Sequence, residues 1–137
     1  MIERQLSLFL VNKPGVLADV CQTLGEHKIN IRGMSVSDTV DHAVVRMIVD
    51  DPIKAIHVLG EHGVLVVETD VLAVEVDDQP GALARVARKL AKAKVNIEYA
   101  YGTSDSGKAR VYIRVSDVRK GRQAVAGRRT KKKKRTG

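Results

Sequence analysis

The sequence predicts an α+β fold in which two βαββαβ units follow each other, each with an antiparallel sheet and both helices on one face. The main observation is a phrase of nine residues that occurs twice, NKPGVLADV from Asn12 and DQPGALARV from Asp78. Each phrase follows a stretch in which apolar residues alternate, as in a strand, and it opens a stretch with the apolar spacing of a helix. The chain therefore contains the same folding unit twice.

The repetition extends beyond this phrase, because a shift of 66 positions aligns identical residues as far as the third predicted strand of each unit. No insertion is needed over this span. We predict a first unit at 1–69, a second unit at 70–126 and a basic tail at 127–137. The aligned pairs are Pro14/Pro80, Gly15/Gly81, Leu17/Leu83, Ala18/Ala84, Val20/Val86, Leu24/Leu90, Lys28/Lys94, Asn30/Asn96, Ile31/Ile97, Ala43/Ala109, Val45/Val111 and Val49/Val115.

The elements of the first unit follow from its periodicity. Leucines alternate in RQLSLFLV, which predicts a strand with one buried face. The segment VLADVCQTL has one apolar stripe and predicts a helix. An extended pattern in KINIRGMSV and the polar residues at 37–42 predict a hairpin into AVVRMIV. Asp51 as N-cap and Pro52 predict a second helix that Gly63 ends, and VLVVET supplies the last strand.

The second unit repeats these elements until its end. DVLAVEV, ALARVARKL, NIEYAY and RVYIRV match the first four elements, and GTSDSG is the predicted hairpin turn. A short helix is predicted at 117–126. The segment GRRTKKKKRTG then has no strand-forming residues, and a run of this charge density is expected to stay solvated and disordered. The second unit is therefore predicted to lack its last strand.

Charge and composition favour a cytoplasmic protein without a membrane span. The net charge of +8 belongs to the end of the chain, because residues 1–118 have 14 Lys/Arg and 16 Asp/Glu whereas residues 119–137 have 10 Lys/Arg and no acid. No apolar run approaches the ~20 residues that cross a bilayer. The single cysteine, Cys21, cannot form an internal disulfide, as expected in a reducing compartment.

The sequence predicts no catalytic residues, no metal site and no cofactor. His57 and His62 are five positions apart, which places them about 140° apart around a helix. No nucleophile–base arrangement or pair of carboxylates is present in a typical order. The segment GTSDSGK contains a Gly-Lys step but lies in a predicted hairpin, where a phosphate-binding loop would lie between a strand and a helix. An enzyme is not expected.

A unit of this length and order, with xxPGxLxxV after its first strand and xNI opening its second, resembles the ACT domain. The resemblance covers residues 4–126 and occurs twice in register. It implies two ferredoxin-like units and a regulatory, allosteric protein without catalytic activity. It further implies that an amino acid is held between the paired units.

The repeated loop also has a physical rationale for ligand binding. A glycine leaves backbone N–H groups uncovered at a helix N-terminus, which favours an anion such as an α-carboxylate. An asparagine amide both donates and accepts hydrogen bonds. The resemblance implies that Asn12 and Gly15 share a ligand with Asn96, and Asp78 and Gly81 with Asn30. The complete candidate set is Asn12, Pro14, Gly15, Val16, Leu17, Asn30, Asp78, Pro80, Gly81, Ala82, Leu83 and Asn96.

The two loops are expected to differ in affinity. Asp78 stands where the family often has asparagine, and its carboxylate attracts the ammonium of an amino acid but repels the carboxylate. A structural interpretation is also open: Asn12 caps the helix, and Asn30 and Asn96 satisfy the amides at strand ends.

The alternative function is a dimerising interaction module whose basic tail binds an acidic partner or nucleic acid. RRTKKKKR can contact phosphates non-specifically, whereas three tyrosines and one phenylalanine offer little for base stacking. Nucleic acid is otherwise not expected as a partner. Only ETD separates the last strand of the first unit from the first strand of the second, so the units are predicted to pack as a fixed pair. The bare edge left by the missing strand predicts self-association as a homodimer.

Overall fold

The computed structural model of the chain describes residues 1–126. The predicted basic tail at 127–137 lies outside the described residues. The described chain divides into two compact units, the first at Arg4–Thr69 and the second formed by Met1–Glu3 together with residues 70–126. Each has strands and helices in the predicted order, so the α+β class with two βαββαβ-type units is confirmed.

The described residues form six strands, three complete helices and a further helical segment at 118–126. The bounds are β1 Ile2–Val11, α1 Val16–Glu26, β2 Ile31–Asp38, β3 His42–Val49, α2 Pro52–Glu61, β4 Leu65–Asp77, α3 Ala82–Lys92, β5 Ile97–Asp105 and β6 Lys108–Val115.

The first unit has the strand order β2-β3-β1-β4, and its pairs β1–β3 and β2–β3 are antiparallel. Leu6, Leu8 and Leu10 are buried in its core, as the alternation predicted. They pack with Val20 and Leu24 of α1. The helices therefore cover one face of the sheet.

One feature of β1 differs from the predicted pattern. Gln5 and Ser7 lie on the opposite face from the leucines but are also buried, with 0% and 8% exposure. The Gln5 side-chain amide donates a hydrogen bond to the Ser7 hydroxyl over 3.4 Å. This bond gives the buried amide and hydroxyl groups a hydrogen-bond partner that they would otherwise lack. In this strand, the polar residues that alternate with the leucines are therefore buried and not exposed.

The helix ends follow one pattern in both units. Asp51 caps α2 as predicted, because its carboxylate accepts a hydrogen bond from the backbone N–H of Lys54. All three complete helices end in a Schellman motif with a left-handed residue. That residue is Gly63 after α2, as expected for glycine, but Lys28 after α1 and Lys94 after α3.

The strand β4 is continuous where the sequence predicted two strands separated by ETD. It has 13 residues, begins in the first unit and ends in the second. Glu68, Thr69 and Asp70 are therefore part of a strand rather than a linker.

The second unit has the order β4-β6-β5 and contains the short helix predicted after β6. Asp117 caps this helix by accepting from the backbone N–H of Lys120, as Asp51 does 66 positions earlier. Val118 and Val125 pack on the second core. No strand follows β6 within residues 1–126, in agreement with the predicted missing strand.

The edge at the missing strand is partly occupied. The backbone N–H of Ala73 donates to the carbonyl of Met1 over 2.6 Å, and Ile2 packs against the second core. The start of the chain thus contributes to the second unit. The sheet edge that was expected to be unpaired, and from which a dimer was predicted, is therefore partly covered by residues at the start of β1.

The β5–β6 hairpin turns over Ser106 and Gly107, which both have positive φ, of 56° and 80°. Positive φ at both central residues is the geometry of a type I′ turn, which suits the twist of a hairpin. Tyr112 of β6 is 2% exposed, although it alternates with the core residues Val111 and Ile113 and so lies on the other face of the strand. It pairs with Tyr101, and their ring centroids are 5.5 Å apart.

Candidate functional site

The repeated Pro-Gly step forms the same tight turn in both units. Gly15 has φ 90° and ψ −19°, and the N–H of Val16 donates to the carbonyl of Lys13 over 3.4 Å. Proline cannot adopt positive φ, so proline followed by a left-handed glycine defines a type II turn. Gly81 repeats this geometry with φ 86°. The Pro-Gly pair is therefore the residue pair that a type II turn favours at its two central positions. The turn comes directly before each helix, because the prolines lie two positions before α1 and α3 begin.

The hydrogen bonds around the two turns correspond one by one at the shift of 66. Asn12 donates its backbone N–H to the carbonyl of Asp41, and Asp78 donates to Gly107, which lies 66 positions after Asp41. The first-turn amide of Asp19 donates to the carbonyl of Gly15. Arg85 and Gly81 form the same bond in the second unit. Each loop is thus held by the hairpin turn beside it.

Both loops leave backbone donors free at a helix N-terminus. The N-cap positions are Gly15 and Gly81, and no side chain caps either helix. Asn12 therefore does not cap α1, and that structural interpretation is wrong. Within residues 1–126, the N–H groups of Leu17 and Leu83 have no backbone acceptor. Free donors at the positive end of a helix dipole attract an anion.

The strand-two asparagines use their backbones, and their side chains are exposed. The N–H of Asn30 donates to the carboxylate of Asp50, and its carbonyl accepts from the Asp50 N–H. Asn96 makes the same pair of bonds with Ser116. The strand ends are therefore satisfied by the backbone of each asparagine together with the backbone and side chain of Asp50 or Ser116, and not by the asparagine side chains. Among the described residues, neither asparagine amide has a hydrogen-bond partner, so both are available to a ligand.

The structure groups some of the candidate residues and separates others. Residues 12–17 lie together in one loop and residues 78–83 in the other. Asn30 lies at the opposite end of its own sheet from loop 12–17, because Val11 pairs with His42 at the start of β3 whereas Ile31 pairs with Val49 at its end. A single unit therefore does not bring its loop and its strand-two asparagine together.

The side chains after the two glycines are placed differently. Val16 and Leu17 are half-buried and pack against the first core. Ala82 is buried, whereas Leu83 is 53% exposed. In the second loop, an apolar side chain is therefore available at the surface.

A hollow of about 390 Å³ lies beside Leu83 in the second unit. Its walls include Ala100, Gly102 and Val111 from the helix-facing side of the hairpin, and Thr103 and Ser104 supply hydroxyl groups. Gly102 must be glycine, because a Cβ there would lie 2.5 Å from the carbonyl oxygen of Arg110. Small residues on β5 thus create this hollow.

The first unit has larger side chains at the matching positions of β2. Met34 and Val36 stand 66 positions before Ala100 and Gly102. A smaller cavity of about 240 Å³ lies elsewhere in the first unit, lined by residues of α1 and α2 and by Leu10 and Val64. Of the candidate residues, only Val16 borders it.

Charged residues that were absent from the sequence-based candidate set surround the second loop. The ammonium of Lys108 lies 2.7 Å from the carboxylate of Asp77. This hydrogen bond and charge lower the pKa of Asp77, with a smaller contribution from Arg85, and the same contact raises the pKa of Lys108. Arg85 also lies against the loop, since its Nη1 would be 3.5 Å from a Cβ at Gly81.

The first loop has no such charges at the equivalent positions. Val11 and His42 stand where the second unit has Asp77 and Lys108, and Asp19 stands where it has Arg85. The alignment of the two copies already indicates this difference between the loops, because the equivalent residues Asp19 and Arg85 have opposite charges.

Residues 1–126 lack two other features, a cluster of metal-binding side chains and a membrane-spanning helix. That part of the chain has no group of three His, Cys, Asp or Glu side chains placed to hold a metal ion. None of its helices has the length and apolar character of a membrane-spanning helix.

Comparison with known proteins identifies the family. A family model described as an ACT domain pair matches residues 1–132. Protein BT0572 from Bacteroides thetaiotaomicron is 35% identical with a TM-score of 0.90, and the match covers 94% of this chain and 90% of that chain. No functionally curated protein matches at a significant level.

More distant structures share the fold. The regulatory subunits of aspartate kinase from Thermus thermophilus and Thermus flavus are both 19% identical, with TM-scores of 0.69 and 0.62. Each match covers 93% of this chain and 94% of the other chain. With the family model matching nearly the whole sequence, the resemblance seen in the sequence is confirmed, and the chain belongs to the family of ACT domain pairs.

Proposed function

We propose that this chain is a regulatory protein without catalytic activity that binds a small molecule of the amino acid class. The observation that carries the proposal is the second loop, where free N–H groups at the start of α3 adjoin a hollow of about 390 Å³. This volume lies in the range of about 300–1000 Å³ that small-molecule sites occupy. The structures of aspartate kinase regulatory subunits share this fold, which agrees with a regulatory role.

The residues around the second loop supply a partner for each part of an amino acid. The free N–H groups after Gly81 and the guanidinium of Arg85 attract an α-carboxylate. The exposed carboxylate of Asp78 attracts an α-ammonium. The hollow beside Leu83 takes the side chain. Arg85 thereby offsets the repulsion that Asp78 alone would exert on a carboxylate.

Isothermal titration calorimetry against the twenty common amino acids, with a thermal-shift assay in parallel, tests the proposal. At a ligand concentration a hundred times the Kd, binding stabilises the fold by about 2.7 kcal/mol. Flat titrations and unmoved melting temperatures for all twenty would refute it.

A matched pair of variants locates the site. Ala100→Met places in the second unit the residue that the first unit has at Met34, fills the hollow, and is expected to abolish binding while the melting temperature of the free protein is kept. Met34→Ala makes the reverse change and is expected to leave binding intact. Equal affinity in both variants would show that the hollow takes no part.

The first loop is proposed as a second, different site. Asn12→Ala is expected to weaken a second binding event without unfolding the protein, because the Asn12 side chain is exposed. The sharing of each ligand between a loop of one unit and Asn96 or Asn30 of the other stays a prediction. A double-mutant cycle tests it: Asn12→Ala is expected to couple to Asn96→Ala and not to Asn30→Ala.

Self-association also stays a prediction. Several large apolar side chains of the first unit are exposed, including Met34, Val36 and Val11 at 43%, 49% and 50%. Covering such groups is a common reason for dimer formation. Sedimentation velocity is expected to show a dimer, and a monomer across the micromolar range would contradict it.

A further inference from the structure

The equivalent helices of the two units carry opposite charge. On α1, the solvent-exposed positions hold Asp19, Gln22, Thr23 and Glu26. On α3, the positions 66 residues later hold four cations and no acid. We call these four residues the basic face: Arg85, Arg88, Lys89 and Lys92.

The basic face is continuous along one side of the helix. Arg88, Lys89 and Lys92 follow Arg85 by three, four and seven positions. The four side chains therefore lie within an arc of about 100° and extend over about 10 Å of helix. Together with Ala84, and with no other residue of the described range 1–126, they line a groove of about 170 Å³. The apolar side of α3, with Val86 and Leu90, is buried in the second core.

These cations differ from those on the sheet of the same unit. Lys108, Arg110 and Arg114 form ion pairs with Asp77, Glu75 and Glu98, respectively. Among residues 1–126, the side chains of Arg88, Lys89 and Lys92 have no ion pair or hydrogen bond. The uncompensated positive charge of the second unit is therefore on its helices.

The helix at 118–126 adds to this charge. Gly121 is buried, and a Cβ there would meet Leu72 of β4, Val115 of β6 and Leu90 of α3 within 3.5 Å. This helix therefore packs beside α3 on the same face of the sheet. It carries Arg119, Lys120 and Arg122 at exposed positions, and seven more Lys/Arg follow it in the sequence at 127–137.

We propose that the basic face of α3, extended by the helix at 118–126, binds the phosphate backbone of nucleic acid without reading its sequence. A duplex carries one negative charge per about 1.7 Å of its axis, so it can engage a continuous row of cations at once. As far as residue 126, where the described chain ends, no aromatic or bulky aliphatic residue lines the groove. It therefore lacks the anchors that protein interfaces and membrane-surface helices use and the platforms that stack bases.

This role shares Arg85 with the proposed ligand site at the second loop, whereas Arg88, Lys89 and Lys92 take no part in that site. The net charge of the sequence places the basic excess in the last nineteen residues alone, because acids elsewhere in residues 1–118, most of the balance coming from the second unit itself, offset the cations of α3 in the total. Placing those cations on one helix face reveals a second basic region within the folded chain.

Fluorescence anisotropy with the full chain tests the proposal, using a mixed-sequence duplex DNA and a single-stranded RNA of equal length. The test variant is Arg88→Gln, Lys89→Gln and Lys92→Gln, which leaves Arg85 and the loop in place. Three lost phosphate contacts are expected to reduce the slope of log K against log salt by about 2.7 for duplex DNA. The affinity for DNA at about 50 mM salt is expected to fall at least tenfold.

Two control variants remove positive charges from other parts of the chain. The first loses three charges, as the α3 variant does, and the second loses four. Lys108→Gln, Arg110→Gln and Arg114→Gln remove three cations that are already paired, and the slope is expected to change by less than about 1. The second control replaces the four lysines at 131–134 with glutamine. Circular dichroism and the melting temperature establish that each variant is folded.

Three results would overturn the proposal. The first is an unchanged slope and affinity in the α3 variant while the variant at 131–134 loses all binding. The second is equally tight binding of a polyglutamate peptide, which would indicate an acidic protein partner. The third is a preference for anionic lipid vesicles over both nucleic acids. Comparable affinity for DNA and RNA supports recognition of phosphate alone.

Discussion

The two units make the same type II turn and the same hydrogen bonds around it, but the side chains near the two turns differ in size and charge. In the first unit, Met34 and Val36 occupy β2 and Asp19 follows the turn. In the second unit, Ala100 and Gly102 leave a hollow, and Arg85 follows the turn. The backbone of the loop is thus a common scaffold, and a few side chains decide what each copy can bind.

The difference extends to the outer face of the first helix of each unit. Acidic and neutral polar residues occupy α1, whereas α3 has the basic face. Substitutions at equivalent positions can therefore separate what the shared fold requires from what each copy has acquired.

The largest effects are expected in the cores, where the copies should behave alike. Leu6 and Leu72 are equivalent and fully buried. Leu6→Ala and Leu72→Ala are each expected to lower the free energy of unfolding by about 2–5 kcal/mol. Urea denaturation measures this loss, and because β4 continues from one unit into the other we expect one transition in each variant. Two separate transitions would contradict cooperative unfolding.

A smaller effect should distinguish the copies on their hairpins. Gly102→Ala forces a Cβ against the Arg110 carbonyl, at 2.5 Å, and is expected to cost about 1–3 kcal/mol. The matched control Val36→Ala alters a half-exposed side chain and is expected to cost less than about 1 kcal/mol. Thermal and urea unfolding measure both. Equal costs would show that the close approach at Gly102 is not specific to the second unit.

The helix ends offer a stabilising change that should be equal in both copies. Lys28 and Lys94 have φ of 62° and 61°, a conformation that is strained for a residue with a Cβ. Lys28→Gly and Lys94→Gly are each expected to raise the free energy of unfolding by about 0.5–1 kcal/mol. Alanine at either position retains the strain and serves as the control. A gain with alanine as large as with glycine would rule out backbone strain as the cause.

The smallest effect concerns the ion pair at the second loop. Lys108→Gln is expected to raise the pKa of Asp77 toward its ordinary value of 3.8, because the main cause of its lowering is removed. Arg110→Gln is the control, since Arg110 pairs with Glu75 instead. Carboxyl chemical shifts in an NMR titration measure the change. A pKa that is the same with and without Lys108 would contradict the assigned cause.

The pH dependence of this pair follows from both shifts. The pKa of Asp77 is lowered, so its contribution to stability is present above pH 3.8 and is lost as the pH falls through the lowered value. The pKa of Lys108 is raised, so its contribution is present below 10.5 and is lost as the pH rises through the raised value. Both groups are exposed, and the effect is therefore expected to be small.

The sequence predicted those features whose causes are local. The Pro-Gly step, the Asp51 cap, the Gly63 helix end and the Ser-Gly hairpin turn each depend on a few neighbouring residues. Alternation also identified the core faces of β1 and β6. The repeat also predicted which residues of the two units are structurally equivalent. Every aligned pair at the shift of 66 has the same local structure in both units.

Features that depend on distant parts of the chain were not predicted. Gln5 and Tyr112 lie on the face of their strands opposite the helix-facing core, and other parts of the chain bury them there. The periodicity of a single strand cannot indicate whether its second face is also buried. Lys28 adopts the left-handed conformation because burial of Leu24 and Ile29 closes the Schellman motif. The hollow of the second unit depends on how α3 and β5 lie in space, which the small size of Ala100 alone did not reveal.

The bond from Ala73 to Met1 has a consequence for the order of folding during synthesis. A ribosome adds Met1 before Ala73, and the whole segment Arg4–Thr69 is made between these two hydrogen-bond partners. That segment can form its own core while Met1–Glu3 have no partner. Completing the second unit then requires closure of a long loop back to Met1–Glu3, a step that is slow because of its entropic cost. Met1–Glu3 are thus made before the first unit and are fixed after it.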